Sequence, residues 1–107
     1  LQVNIDEETS KAGFSKNEVM EVIPYLQELS GIKIRGLMAI PKFRQTIGEQ
    51  RKPFYELHQL FMRISNQMQN NTSFDTLSMG MSSDLEAAIY ENANLVRVGT
   101  DIFGKRP

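Results

Sequence analysis

The sequence contains no cysteine among its 107 residues and only one histidine, His58. Without cysteine the chain can form neither a disulfide nor a cysteine-based zinc site, and it has no thiol nucleophile. His58 falls in the middle of a predicted helix, and Glu56 points elsewhere because residues two apart on a helix do not face each other. We therefore predict that His58 is a surface residue and that the chain has no metal site.

Long apolar runs and clusters of positive charge are also absent. No apolar stretch approaches the roughly 20 residues that cross a bilayer, and no signal-peptide pattern opens the chain. The 12 basic and 13 acidic residues give a net charge of -1, and no basic cluster is longer than Arg51-Lys52. Nucleic-acid surfaces depend on clustered positive charge. We expect a cytoplasmic protein that binds neither nucleic acid nor membranes.

Strand-like and helix-like segments alternate along the chain, which is the pattern of a parallel sheet with crossover helices. Four parallel strands are predicted, at residues 1–5, 32–40, 76–79 and 95–98. The second is an apolar run around Gly36, typical of a strand covered on both faces. A complete barrel of eight β/α units takes about 250 residues. The predicted fold is therefore α/β, half of a (β/α)8 TIM barrel.

A capping box opens the first predicted helix. The Ser15 side chain can accept a hydrogen bond from a free backbone N–H of the first turn, while the Glu18 side chain reaches back. We predict a helix from there to residue 31, with Pro24 kinking or splitting it.

The longest predicted helix begins at Pro53, because a proline at the first helical position loses no intrahelical bond. It runs to about residue 69, and residues 43–51 before it form a loop or a short turn. Its buried stripe consists of Phe54, Leu57, Phe61, Ile64 and Met68.

The C-terminal third twice repeats one local pattern: a short apolar strand, a glycine turn, hydroxyl residues and the start of a helix. The first copy contains Ser82 and Ser83, and the second contains Gly99 and Thr100. Free N–H groups at helix starts bind anions, and phosphate commonly sits in the loops after the last two strands of a barrel. The pattern predicts a phosphate site. The alternative is that the hydroxyls only cap helices. We expect that role for Ser83, and we expect Thr100 to begin the last helical turn as its cap.

The motifs of these turns are specific. They read SMGMSSD at residues 78–84 and VRVGTDIFG at residues 96–104, and the likeness extends upstream through QVNI at 2–5, KAG at 11–13 and RGLMAIP at 35–41. Together they resemble the pyridoxal-phosphate homeostasis protein family, whose barrel is similar to the N-terminal domain of bacterial alanine racemases. The resemblance implies a fold-type III barrel that binds pyridoxal 5'-phosphate (PLP), with this chain supplying strands five to eight, its C-terminal half.

The resemblance also implies which residues bind the cofactor. It places a phosphate-binding serine at Ser82, and Gly99 and Thr100 complete the phosphate site. Met81 is soft enough to lie along a flat ring, and the alternative is that it only packs at the end of its strand. Asp101 stands where the family usually has a small residue, and its carboxylate would weaken phosphate binding unless it points to solvent.

Arg97 precedes Gly99 by two residues and so lies on the same side of its strand. The resemblance implies that its guanidinium donates to the pyridine nitrogen. Because arginine does not give up its proton, that nitrogen would stay unprotonated and the cofactor would be a poor electron sink. The alternative is an ion pair with Asp101 or Glu91.

Lys11 is not predicted to be a Schiff-base lysine. In the family, the lysine that bonds the cofactor's aldehyde comes from the first strand, in a segment that this sequence does not contain. We therefore expect the chain to hold only the phosphate end of PLP.

Three functions fit these features. The first is PLP binding without turnover, in vitamin B6 homeostasis. The second is a PLP-dependent racemase-like or lyase enzyme, although racemases need a second domain and an opposing tyrosine base, and the sequence shows neither. The third is a half-barrel that works only by assembly. Because the chain opens on Leu1 inside a strand, we expect a single segment, 1–107, of a longer protein that self-associates or pairs with a missing N-terminal half.

Overall fold

In a computed structural model of the chain, residues 1–68 and 73–106 are described, and they fold as an α/β unit. Its elements are α1 (Lys16–Gln27), β1 (Gly36–Ala39), α2 (Ile47–Gln67), β2 (Thr76–Met79), α3 (Leu85–Tyr90) and α4 (Thr100–Phe103). None of the helices in the described ranges combines the length and the apolar character that crossing a membrane requires.

The sheet is built on the parallel pair β1 and β2, in which Gly36 lies opposite Thr76 and Ala39 opposite Met79. The prediction of the strand at 76–79 is confirmed. The strand predicted at 32–40 is too long, because Ile32 is 53% exposed and pairing begins only at Gly36. An apolar run indicates burial but does not determine which of its residues find a partner strand.

Single parallel bridges extend the sheet on both sides. Gln2 pairs with Met38, and Leu95 pairs with Ser78. The four predicted segments therefore follow one another in the sheet in chain order, but those at 1–5 and 95–98 are bridges rather than full strands. The first of these segments is also bridged on its other side, where Val3 pairs with Phe14.

The first helix begins as predicted. Ser15 and Glu18 make both bonds of the capping box, at 3.1 and 2.9 Å. The helix ends at Gln27, and it continues through Pro24 without being split. Pro24 lies three residues from the end, so few helical bonds are left for it to disturb.

The second helix begins at Ile47, so the prediction of a loop at 43–51 and a start at Pro53 is wrong. Thr46 caps the helix by accepting the Glu49 N–H at 3.2 Å. The buried Gln50 side chain also donates to the Arg44 carbonyl at 2.7 Å, which fixes the first turn. The helix ends at residue 67, and the predicted end at 69 lies outside the described residues.

The apolar stripe of α2 is confirmed as the centre of the core. Four of its five side chains are buried, and the fifth, Phe61, is partly buried and stacks on Phe74 with ring centroids 5.0 Å apart. The stripe shares the core with the outer-facing side chains of the two strands, Leu37, Ala39, Leu77 and Met79. His58 is half-buried on the same helix.

Candidate functional site

The two glycine turns meet at the carboxyl edge of the sheet. The Asp101 backbone N–H donates to Ser82 Oγ at 3.3 Å, which joins the turn after β2 to the start of α4. A cavity of about 260 Å³ lies there. It is lined by Ile40, Pro41, Phe43, Met81, Ser82, Ser83, Asp84, Gly99 and Thr100. Four of the five residues that the sequence proposed for cofactor binding therefore line one cavity.

Hydrogen-bond donors are available at this cavity. Among the described residues, the backbone N–H groups of Ser82, Ser83 and Thr100 donate to no protein atom. Ser82 Oγ already accepts one bond, from Asp101, so its own proton is free to point at a ligand. Asp101 itself is exposed to solvent. The arrangement can hold an oxyanion with neutral donors.

The two predicted hydroxyl caps are wrong. Asp84, and not Ser83, is the N-cap of α3, and Gly99, and not Thr100, is the N-cap of α4. Neither cap residue makes a side-chain bond to its helix. Ser83 instead lies within the turn that leads to Asp84, so its hydroxyl is not committed to the helix.

The two glycines of the site differ in what they do. Gly80 has φ +107°, and a Cβ there would lie 2.8 Å from Ala88 Cβ, so the turn after β2 requires glycine. Gly99 has φ -118°, and a Cβ there would meet no protein atom within 4 Å. The space beside Gly99 is therefore not needed for packing.

Arg97 lies on the inner face of the sheet, which is the face opposite Leu37 and Leu77 and carries Met38 and Ser78. In a parallel bridge the paired residues point to the same side, so Leu95 shares a face with Ser78, and Arg97 follows two residues later. Its Nη2 donates to the Ala39 carbonyl at 3.2 Å, next to Ile40 of the cavity wall.

The Nε atom of Arg97 is buried and has no hydrogen-bond partner. Leaving a buried donor unsatisfied costs about 1–3 kcal/mol, and an acceptor bound beside this atom would remove that cost. The alternative ion pairs are not formed within the described part of the chain, since Glu91 pairs with Arg51 at 3.1 Å and Asp101 pairs with no cation.

Lys11 lies in a loop, as predicted, but nearer to the cavity than its sequence position indicated. Its Nζ donates to the Ile40 carbonyl at 3.3 Å and lies 3.6 Å from the Glu8 carboxylate. The ammonium is thus engaged at the cavity rim rather than free.

The loop after β1 is a part of the site that the sequence did not indicate. Asp6 anchors it by accepting from Arg44 Nη2 at 2.6 Å and from the Lys42 N–H at 2.7 Å. Burial by itself would raise the pKa of Asp6, but these hydrogen bonds outweigh it and hold the pKa below its usual value. The RGLMAIP motif was the available signal, because the loops after parallel strands meet at one end of a barrel.

No group of three or more His, Asp and Glu residues suited to a metal ion occurs in residues 1–68 and 73–106. Parallel strands whose glycine and hydroxyl turns meet in a cavity resemble the end of β/α barrels at which phosphate commonly binds. All 107 residues match the model of the family described as alanine racemase, N-terminal domain, and the chain belongs to this family. The resemblance found in the motifs is thereby confirmed.

Individual relatives agree with this assignment. The pyridoxal phosphate homeostasis protein of Pasteurella multocida is 39% identical over 106 residues, which is 99% of this chain and 45% of the relative. PipY of Synechococcus elongatus PCC7942, solved without PLP, superposes with a TM-score of 0.85 at 34% identity, over 97% of this chain and 48% of PipY. With PLP bound, PipY gives a TM-score of 0.81 at 32% identity, over 97% and 47%. The chain thus spans less than half the length of these proteins.

Gly80→Ala should destabilise the protein, whereas Gly99→Ala should not. At position 80 the added methyl group meets Ala88 and the positive φ is strained, which together cost at least about 1–2 kcal/mol. Urea unfolding curves of both variants measure the difference. Equal stability of the two variants would contradict this account of the turn.

Proposed function

We propose that the chain is the part of a PLP-binding protein that holds the cofactor's phosphate, and that the protein serves PLP homeostasis rather than catalysis. The observation that carries this proposal is the contact between the Asp101 N–H and Ser82 Oγ, which brings both glycine turns to one cavity. Support comes from relatives named pyridoxal phosphate homeostasis proteins and from PipY, whose structure contains PLP.

The proposed roles follow the positions of the side chains. Ser82 and Thr100 donate to the phosphate from their hydroxyls and backbone N–H groups, and Gly99 leaves the space that the phosphate fills. Met81 lies against the pyridine ring, and Arg97 Nε donates to the ring nitrogen. When bound, PLP supplies an electrophilic aldehyde and an electron-withdrawing ring.

A permanently protonated guanidinium at the ring nitrogen favours storage over turnover. Since Arg97 can only donate, it keeps that nitrogen unprotonated and lowers the ring's capacity to accept electrons. The competing function is that of a PLP-dependent racemase-like enzyme from the same family. Amino-acid racemisation assays on the PLP-loaded protein distinguish the two, because a homeostasis protein should show no turnover.

We further propose that the chain is one segment, residues 1–107, supplying strands five to eight and hence the C-terminal half of a (β/α)8 barrel in a cytoplasmic protein. The support is the open inner face of the sheet. Met38 is only half-buried, and Ile40 and Leu95 are 39% and 46% exposed on that face. Strands from the other half of a barrel would cover these side chains.

Thr100→Val should weaken PLP binding by up to about tenfold, because a hydrogen bond contributes about 0.5–1.5 kcal/mol net and valine keeps the shape of threonine without its donor. Thr9→Val, at an exposed position away from the cavity, is the matched control and should bind as the unaltered protein does. Titration calorimetry measures both. Crystals soaked with PLP that showed density elsewhere, with the turns at Ser82 and Thr100 empty, would refute the assignment.

The chain should form no covalent bond with the PLP aldehyde. The resemblance places the aldehyde-binding lysine in a segment that this sequence does not contain, and the Lys11 Nζ contacts the Ile40 carbonyl and the Glu8 carboxylate. Borohydride reduction in the presence of PLP, followed by mass spectrometry, should show no stoichiometric adduct on one lysine. A clean adduct at Lys11 that disappears in Lys11→Arg would prove the assignment wrong.

The isolated chain should not sediment as a 12.2 kDa monomer. The open inner face and the strand edges would drive self-association or pairing with an N-terminal half. Adding a separately expressed N-terminal half that carries the family's lysine should give a one-to-one complex that binds PLP. A monomer that unfolds cooperatively and does not bind the N-terminal half would overturn the half-barrel proposal.

A further inference from the structure

Asp84 is a buried carboxylate without a cationic partner. It is 8% exposed, and the ion pairs of the described residues do not include it. Burying a charge without a partner is costly unless its oxygens are hydrogen-bonded. The bonds that Asp84 makes should therefore reveal its role.

These bonds lead back into the turn and not forward into the helix. Asp84 is the N-cap of α3, yet its side chain bonds to no N–H of the first helical turn. Instead, Oδ1 accepts the Met81 N–H at 2.8 Å, and the Asp84 N–H returns to the Met81 carbonyl at 3.1 Å. This reciprocal pair closes the turn around Ser82 and Ser83.

The closed turn sets the position of Ser82 against the rest of the cavity. The turn holds Ser82 Oγ 3.3 Å from the Asp101 backbone N, so a change in the shape of the turn would alter this contact. Asp84 also lines the cavity itself, where a negative charge repels a phosphate. The charge of Asp84 is thus unfavourable to the proposed ligand, whereas its acceptor oxygen is useful.

We propose that Asp84 is the positioning residue for the phosphate of PLP, and that it acts through the acceptor oxygen that holds the Met81 N–H and not through its charge. This inference rests on the proposed function. The proposal predicts different results for two substitutions of Asp84, by asparagine and by alanine. Asparagine keeps an oxygen for the Met81 N–H and removes the charge, whereas alanine removes both.

The test compares Asp84→Asn, Asp84→Ala and Glu86→Ala in the full-length protein that carries this chain. Glu86 is an exposed carboxylate in the first turn of α3 and serves as the matched control. Affinities are measured for PLP and for pyridoxal, which lacks the phosphate. The preference for PLP over pyridoxal isolates the phosphate contact, because general loosening of the protein would weaken both ligands.

Asp84→Asn and Glu86→Ala should keep or increase the preference for PLP. Asp84→Ala should lower it about tenfold relative to the equally uncharged Asp84→Asn, because the Met81 N–H loses its acceptor and the turn loses the bond that closes it. Equal loss in the asparagine and alanine variants would show that the charge matters and would overturn the proposal, as would an unchanged preference in Asp84→Ala. If the alanine variant does not fold, Asp84→Leu, which has about the shape of asparagine without its acceptor oxygen, replaces it and should show the same loss. An unaltered protein that does not prefer PLP would refute the phosphate site itself.

Discussion

The parallel pairing of β1 with β2 is the constraint on which the position of every candidate ligand group depends. In a parallel pair both strands run in one direction, so the loops that follow them leave at the same edge of the sheet. The loop after β1, the turn after β2 and the segment after Leu95 meet there because a bridge aligns Leu95 with Ser78. Strand direction, and not proximity along the chain, therefore brings these loops to one cavity.

The cavity has an unusual charge balance for an anion site. No lysine or arginine is among its lining residues, whereas Asp84 is. An anion would be held by neutral donors whose positions are set by backbone shape, with little contribution from mobile cations. Anion binding at such a site depends more on the direction of each N–H than on the net charge of the cavity. This dependence explains why a buried carboxylate is tolerated where it stabilises the turn.

The features that the sequence predicts correctly are those determined by residues close together along the chain. The capping box at Ser15 and the strand at 76–79 are local patterns, and both are present. The helix α2 begins before the predicted start at Pro53 because Thr46 accepts the Glu49 N–H and caps the helix there. At the site, the motifs indicated Ser82, but the bond from Asp84 to Met81 depends on how the turn closes in space.

The outer face of the sheet packs in the core and stabilises the fold, whereas the inner face carries a residue proposed to bind the ligand. The outer face is covered by the chain's own side chains, since Leu37 and Leu77 are each 1% exposed beneath the apolar stripe of α2. The inner face carries Arg97 and the half-buried Met38, and side chains from across a barrel would be needed to cover it. If a second half of a barrel covers the inner face, as proposed, its loosening would reach Arg97 and the adjoining cavity before it reached the core under α2. Under that proposal, PLP binding should be lost earlier than secondary structure, because the helices depend on the outer core and the ligand depends on the inner face.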